Sequence, residues 1–459
     1  MKTILTELPY QPDNILNLFK SLSTTPWSML LYSGNNNHPD SRFDILVTNP
    51  ILTLFTKDNI TTISYNKKHK ISSQDPFVLL NKYMKNFRLQ SNKIDHIPFQ
   101  GGFIGIFGYD LIRHIESLPK VAKKDIFLPD MAVGLYRWAI ISDHKLQKNY
   151  LITHDEPNHI LSWIRSQNIH INNLNKDFQL LDFWKSNITH TEYIKKFNII
   201  QKNMMSGNCY QVCLSQRFSA PYTGNEWTAF RYLLNYNHAP FSAFIRLPHQ
   251  STILSFSPER FIKLNNTNIK TQPIKGTISR LNNIQHDKLQ IQELTKSIKN
   301  QSENLMIVDL LRNDFGKVAV PGSIHVKKLF EIQTFSNVHH MVSTIIGKLN
   351  NNFSACDLLK ACFPGGSITG APKIQAMKLI EELEPHRRNI WSGSIGYFSC
   401  CGNMDSNIII RTLLTEKQHI FCSVGSGIVI DSDQDSEYQE MQNKVSTLLT
   451  PLIKRYLFK

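Results

Sequence analysis

An α/β fold, with antiparallel sheets and flanking helices, is what this 459-residue sequence predicts. Three features point to it. Residues 1 to about 150 alternate short apolar runs with turn clusters rich in Gly, Asn and Ser, the pattern of a mostly antiparallel sheet. From Thr191 amphipathic helical stretches alternate with further strands. No apolar run reaches the eighteen residues of a membrane span. An apolar fraction of 41% and a charged fraction of 19% suit a packed globular chain, long enough by itself for two to four domains of ordinary size.

In chain order, Trp27–Tyr32, Phe43–Val47, Gly101–Asp110 and Ala139–Asp143 read as strands, with a turn cluster over Ser33–Asn37. Residues 156 to 188 are rich in Asn, Lys and Asp and read as an exposed connection holding a short helix around Leu161–Ile164. The spacing over Glu192–Ile200 predicts a helix closed by Gly207. Strands follow at Tyr210–Phe218, Phe241–Ile245 and Ile253–Phe256, then one long helix over 287–312. Further strands are expected at Tyr397–Cys400, Ile408–Leu414 and Ile420–Val424, and a terminal helix at Asp435–Leu449.

Composition excludes several function classes. A net charge of +15 could suggest nucleic acid, but the lysines are scattered among asparagines and isoleucines with no basic block, so no nucleic-acid partner is expected. Seven cysteines, two of them adjacent at Cys400 and Cys401, make no disulfide framework, and Cys209 with Cys213 lacks a second pair at zinc spacing. The N-terminus meets Glu7 and Pro9 before any hydrophobic region, so no signal peptide and no membrane partner are expected, and a cytoplasmic location is.

Two segments carry chemistry. Pro273-Ile274-Lys275-Gly276-Thr277-Ile278-Ser279-Arg280 seats a lysine between a residue of fixed φ and one that permits close approach. On its own it reads as a basic turn between strands. Phe363–Lys373, with Gly365, Gly366 and Gly370, is a glycine-rich loop opening onto a helix, able to present backbone N–H groups to an anion. It matches neither the Walker motif nor the dinucleotide fingerprint.

With Ser257-Pro258-Glu259-Arg260, Glu303–Leu310 and Gly393–Tyr397, these segments stand in an order that closely resembles the chorismate-utilising enzymes: the large subunits of anthranilate and aminodeoxychorismate synthases, and the isochorismate and salicylate synthases. The resemblance is dense over 190–450. It implies two facing antiparallel sheets, with a region 1–155 like the N-terminal domain of the amine-adding members and a catalytic region 190–455, merged in one body. Lys275 resembles the aminodeoxychorismate synthase branch, where anthranilate synthases carry alanine. Gln211 stands where isochorismate-forming relatives carry a water-activating lysine.

The reaction so implied is chorismate plus ammonia to 4-amino-4-deoxychorismate, on the route to 4-aminobenzoate and folate. Lys275 would add at C2 and expel the C4 hydroxyl, and ammonia would then attack C4 and expel the lysine. An amine attacks only without its proton, so the site must favour the neutral form. Glu259 is the candidate proton donor and base, with His340 close by. The resemblance further implies Mg²⁺ on Glu303 and Glu440 with Glu437 nearby, a hard-oxygen set suited to that ion. Taken singly, Glu303 also suits a solvated helix face, and Glu440 with Lys444 an ordinary i,i+4 pair. Arg411, in an apolar run, is expected to meet a substrate carboxylate; Gly276, Thr277, Tyr397, Gly425, Gly427 and Lys444 would complete the cradle.

Ser33, Asp40, Ser41, Arg42, Phe43, Pro240, Phe241 and Ser242 resemble the family's tryptophan pocket, with Asp40 in place of an aromatic residue. No Gly-x-Cys-x-Gly elbow is present, so a glutamine amidotransferase partner is expected to supply ammonia. The alternatives are anthranilate synthase chemistry, or a basic binding protein without catalysis.

Overall fold

The computed structural model describes residues 2–34, 38–87, 93–167, 177–335 and 338–457. The expected turn at 33–37 therefore falls partly outside the described residues. Two large antiparallel sheets are present, of thirteen and twelve strands among the described residues. The first runs Ile4–Leu8, Lys148–Thr153, Trp138–Asp143, Phe43–Val47, Met29–Tyr32, Phe241–Arg246, Thr252–Ser257, Thr412–Glu416, His419–Val429, Gln211–Thr223, Gln179–Leu180. The second runs Ile274–Ser279, Val338–Lys348, Asn268–Thr271, Arg260–Asn265, Met404–Asn407, Ser394–Ser399, Gly102–Phe107, Met131–Tyr136, Leu52–Lys57, Ile60–Tyr65, Lys68–Ser72. Both sheets interleave the two halves of the chain: Met29–Tyr32 pairs with Phe241–Arg246, and Gly102–Phe107 with Ser394–Ser399.

Period-two alternation sorts the side chains into layers. In Phe241–Arg246, Ala243 and Ile245 join the apolar layer between the sheets, while Phe244 packs outward beneath the helices. There Phe244 meets Phe19, Trp227 and Phe230 at ring-centroid distances of 5.2–5.5 Å. Each such buried ring contributes roughly 1.5–3 kcal/mol. The second sheet's outer face is covered by Pro76–Asn86, Ile298–Gly316 and Ala355–Cys362, whose Phe77, Leu311 and Leu359 share one cluster. All seven cysteines are free thiols. Among the described residues no helix is long and apolar enough to cross a membrane.

Four expectations change. The long helix over 287–312 is two helices, Ile284–Lys296 and Ile298–Gly316, because extended Ser297 accepts the Asn300 N–H and caps the second. The strand expected over Ile408–Leu414 begins only at Thr412, because the chain crosses there from the second sheet to the first and Arg411 turns in the left-handed region at φ 48°. The Pro273–Arg280 segment is an edge strand, Ile274–Ser279, rather than a turn. The terminal helix continues through Pro451 to Tyr456, since Leu452 and Tyr456 keep its apolar face buried.

Candidate active site

The site forms where the chain changes sheets twice. It passes from Thr252–Ser257 in the first sheet to Arg260–Asn265 in the second through Pro258-Glu259, and returns through Ile408–Arg411. The two crossings are tied together: Ile408 N donates to Glu259 O at 3.1 Å, and Ser257 Oγ donates to Ile408 O at 2.6 Å. Pro258 and Glu259 from the first crossing and Ile410 and Arg411 from the second line the gap between them. That gap is a cavity of about 620 Å³.

Lys275 enters it from the edge strand, where pairing with Val338–Lys348 is irregular between Ile274 and Thr277. Gly276 turns there at φ 82°, and a Cβ on it would meet Leu294 and Asn300 at 2.9–3.0 Å, so this kink needs glycine. Lys275 Nζ donates to Ser367 O at 3.3 Å, on the glycine-rich loop. Thr277 Oγ1 lies 2.8 Å from His340 Nδ1 across the same strand pair.

Glu259 lines the cavity and is buried. Burial raises its carboxyl to about 7, against the pull of Lys275, Ser367 and the Ile274 backbone. An acid so placed can give and take a proton near neutral pH. His340 is driven the other way, to about 4, by burial first and then by Arg411 and neighbouring histidines, so its imidazole is neutral at physiological pH.

Glu303, Glu437 and Glu440 share the cavity with Lys299 and Lys444. Lys299 pairs with Glu437 at 2.9 Å and Lys444 with Glu440 at 2.5 Å, the latter being the i,i+4 pair visible in the sequence. Glu303 is pushed up by burial and by Glu437 and Glu440, in spite of Lys275 and Lys299. Among the described residues no three carboxylate, histidine or cysteine groups close into a cation cage. The donor chemistry nonetheless fits a hard divalent ion, because carboxylates that repel one another across a cavity are relieved by a cation between them.

Arg411 lines the cavity. Its guanidinium has no carboxylate partner and no hydrogen bond among the described residues, and burial alone works against its charge. Gly425, Gly427 and Lys444 line the cavity as well. Tyr397 does not reach it. The alternation of Ser394–Ser399 turns Ile395 and Tyr397 between the sheets, where Tyr397 packs edge-on against Phe99 at 5.6 Å. Sequence reasoning missed Lys299, Asn300, Cys213 and Trp391 in the lining. Lys299 was legible, one helical turn before Glu303; Trp391 carried no local signal.

A second cavity of about 280 Å³ lies between the sheets, lined by Asp40, Arg42, Phe43, Pro240, Phe241 and Ser242, with Tyr397 and Asn407. Ser33 and Ser41 do not line it: Ser33 donates to Asp44 from both N and Oγ, and Ser41 Oγ donates to Ser33 O. Arg260 sits over Phe241 at 4.7 Å and is held by Asp40 at 2.8 Å and Asp405 at 2.9 Å. Burial opposes the Asp40 carboxylate, but Arg260 outweighs it and keeps the group below the usual range.

Residues 37–450 match the family profile described as chorismate binding enzyme. The chain is 50% identical to aminodeoxychorismate synthase component 1 of Salmonella typhimurium, over 98% of each chain. It is also 50% identical to the Escherichia coli protein of that name, over 99% of this chain and all of the other. Anthranilate synthase component I from Streptococcus pneumoniae TIGR4 superposes with a TM-score of 0.79 at 30% identity, covering 90% of this chain and 93% of that one.

Proposed function

The chain belongs to the chorismate-binding enzyme family, and from that premise we propose how it works: it aminates chorismate to 4-amino-4-deoxychorismate as component 1 of a synthase, with Lys275 as the nucleophile. The observation that carries the reading is the shared cavity of Lys275, Glu259 and Arg411, whose guanidinium has no carboxylate partner among the described residues. Arg411 and Lys444 attract and orient the carboxylates of the substrate. Lys275 Nζ adds at C2 through its lone pair, the ring double bonds shift, and the C4 hydroxyl leaves as water with a proton from Glu259. The new ammonium adduct returns a proton to the Glu259 carboxylate. Ammonia then adds at C4, the double bonds shift back, and Lys275 leaves C2 as the amine while Glu259 relays the proton. The sum is chorismate plus ammonia to the amino product plus water. His340, neutral and held by Thr277, supports the substrate as a hydrogen-bond partner rather than as an acid.

Glu303 and Glu440, with Glu437, would hold Mg²⁺, which when bound would polarise the substrate carboxylate as a Lewis acid. Component 1 implies a second component, which we take to be a glutamine amidotransferase releasing ammonia. The second cavity is our candidate site for tryptophan, with Phe43, Pro240 and Phe241 around the ring. The functional reading is tested by incubating the chain with chorismate, MgCl₂ and ammonium chloride and separating the products. Accumulation of 4-amino-4-deoxychorismate is expected; anthranilate in its place would overturn the reading.

A further inference from the structure

Arg388 is buried close behind the wall of the active cavity without lining it. It follows the helix Lys373–Leu383, and its guanidinium spends all five of its N–H groups inside the protein. Nε donates to Glu384 Oε2 at 2.9 Å, and Nη2 to Glu384 Oε1 at 2.7 Å. Nη2 also donates to Cys213 O at 2.6 Å, while Nη1 donates to Ile368 O at 2.7 Å and to Ser392 Oγ at 3.4 Å. The guanidinium carbon lies 5.0 Å from the ring centroids of both Tyr109 and Trp391. Through Glu384 the clamp reaches one residue further, since Glu384 Oε1 accepts the Ser215 N–H at 2.9 Å.

The partners set this arginine apart. Cys213, Ile368 and Trp391 all line the cavity, yet they come from the Gln211–Thr223 strand, the glycine-rich loop and the turn before Ser394–Ser399. Ile368 directly follows Ser367, whose carbonyl accepts from Lys275 Nζ at 3.3 Å and whose hydroxyl donates to the Glu259 carboxylate. One loop residue thus touches both reacting groups, and Arg388 holds the next carbonyl along. Trp391 in turn backs the cradle, because a Cβ on Gly425 would meet its indole and Cys213 Sγ at 3.1 Å each. Arg246 is the contrast: it is equally buried, pairs with Glu226 at 2.8 Å and donates to Ser23 O at 2.8 Å, and none of these three residues lines the cavity. Lysine at position 388 would keep the charge beside Glu384, but donors on a single nitrogen cannot serve acceptors spread around a planar fork.

We propose that Arg388 is a positioning residue for the amination: it fixes the Ser367–Ile368 loop against the Gln211–Thr223 strand, so that Ser367 holds the Lys275 amine and the Glu259 carboxyl in reacting register. Arg388 acts through Ser367 and not on the substrate. Misplacing a reacting group by about 1 Å costs on the order of 10²-fold in rate, so a clamp of this kind shows itself in turnover more than in binding. The inference rests on the reading under Proposed function.

The test sets Arg388→Lys beside Arg246→Lys, the same exchange at the buried pair remote from the cavity. Thermal denaturation gives Tm and the folded fraction, and turnover with chorismate, MgCl₂ and ammonium chloride is expressed per folded molecule. The rate at which the Lys275 adduct forms from chorismate without ammonia is followed by rapid quench and mass spectrometry. Arg388→Lys should lower kcat and the adduct rate together by at least ~10-fold, with KM for chorismate within about threefold of wild type. Arg246→Lys should lower Tm and leave both rates per folded molecule within about twofold of wild type. If Arg388→Lys does not fold, Glu384→Gln takes its place, because it keeps the guanidinium and loosens the clamp upon it. Equal losses of kcat per folded molecule at the two sites, no loss at either, or a rise in KM with kcat unchanged would overturn the proposal. Absence of ammonium-dependent turnover or of the adduct in wild type would instead overturn the functional reading itself.

Discussion

Glu259 and Arg260 are neighbours in sequence and face different cavities with opposite electrostatic logic. Glu259 opens on the larger cavity without a neutralising partner of its own, and burial holds it at about 7. Arg260 opens on the smaller one, clamped between Asp40 and Asp405, and those carboxylates keep it charged. The larger cavity likewise leaves Arg411 without a carboxylate partner among the described residues and crowds Glu303 against two further carboxylates. A cavity that balances its own charges is built to hold something still. One that leaves an acid, a guanidinium and a lysine uncommitted is built to bind and convert an anion.

The sharpest break of that contrast is Lys275→Ala, which should lower ammonium-dependent kcat by at least ~10³-fold in a steady-state assay, because the other amines of the cavity, Lys299 and Lys444, are held in ion pairs with Glu437 and Glu440. Next, Glu259→Gln should cost ~10²–10⁴-fold and remove the limb of the pH–rate profile that falls above about pH 7. The same group sets a stability slope. Its folded-state value is raised from 4.5 to about 7, so between those values the folded state holds more protons than the unfolded one. Stability therefore falls as pH rises through that window, by on the order of 3 kcal/mol, and urea titrations at pH 5 and pH 7.5 should show a slope that Glu259→Gln lacks.

On the balanced side, Arg260→Met strands Asp40 and Asp405 without their partner. Chemical denaturation should show a loss of about 3 kcal/mol, while turnover per folded molecule changes far less. The smallest effect expected is from Arg411→Ala. Loss of a charged hydrogen bond to substrate should raise KM for chorismate by ~10–100-fold with thermal stability unchanged or higher, since a guanidinium without a carboxylate partner has no ion pair to lose.

Much of this was legible from local pattern. Phe43–Val47 and the two strands around residues 241–257 follow from period-two alternation, and Lys275, Glu259 and Glu303 stand in segments whose order resembles the family. What stayed hidden depends on long-range geometry. The apolar run Ile408–Leu414 reads as one strand, yet its first four residues cross between sheets, and no local signal distinguishes a crossing from a ladder. Tyr397 stands in a motif that resembles the family's, but strand alternation turns it between the sheets, toward Phe99 and the second cavity. The break at Ser297 was readable as an N-cap inside a helical pattern. The pairing of Asp40 with Arg260 joins residues far apart in the chain, and nothing near either one announces it.

The central claim is that Lys275 is the uncommitted nucleophile of an unbalanced cavity. It is tested most directly by mass spectrometry of the protein incubated with chorismate and MgCl₂ without ammonia. The account predicts a chorismate-derived adduct, lighter than chorismate by one water, on the peptide containing Lys275, and its discharge on adding ammonium chloride. No adduct on that peptide, together with undiminished ammonium-dependent turnover in Lys275→Ala, would contradict it.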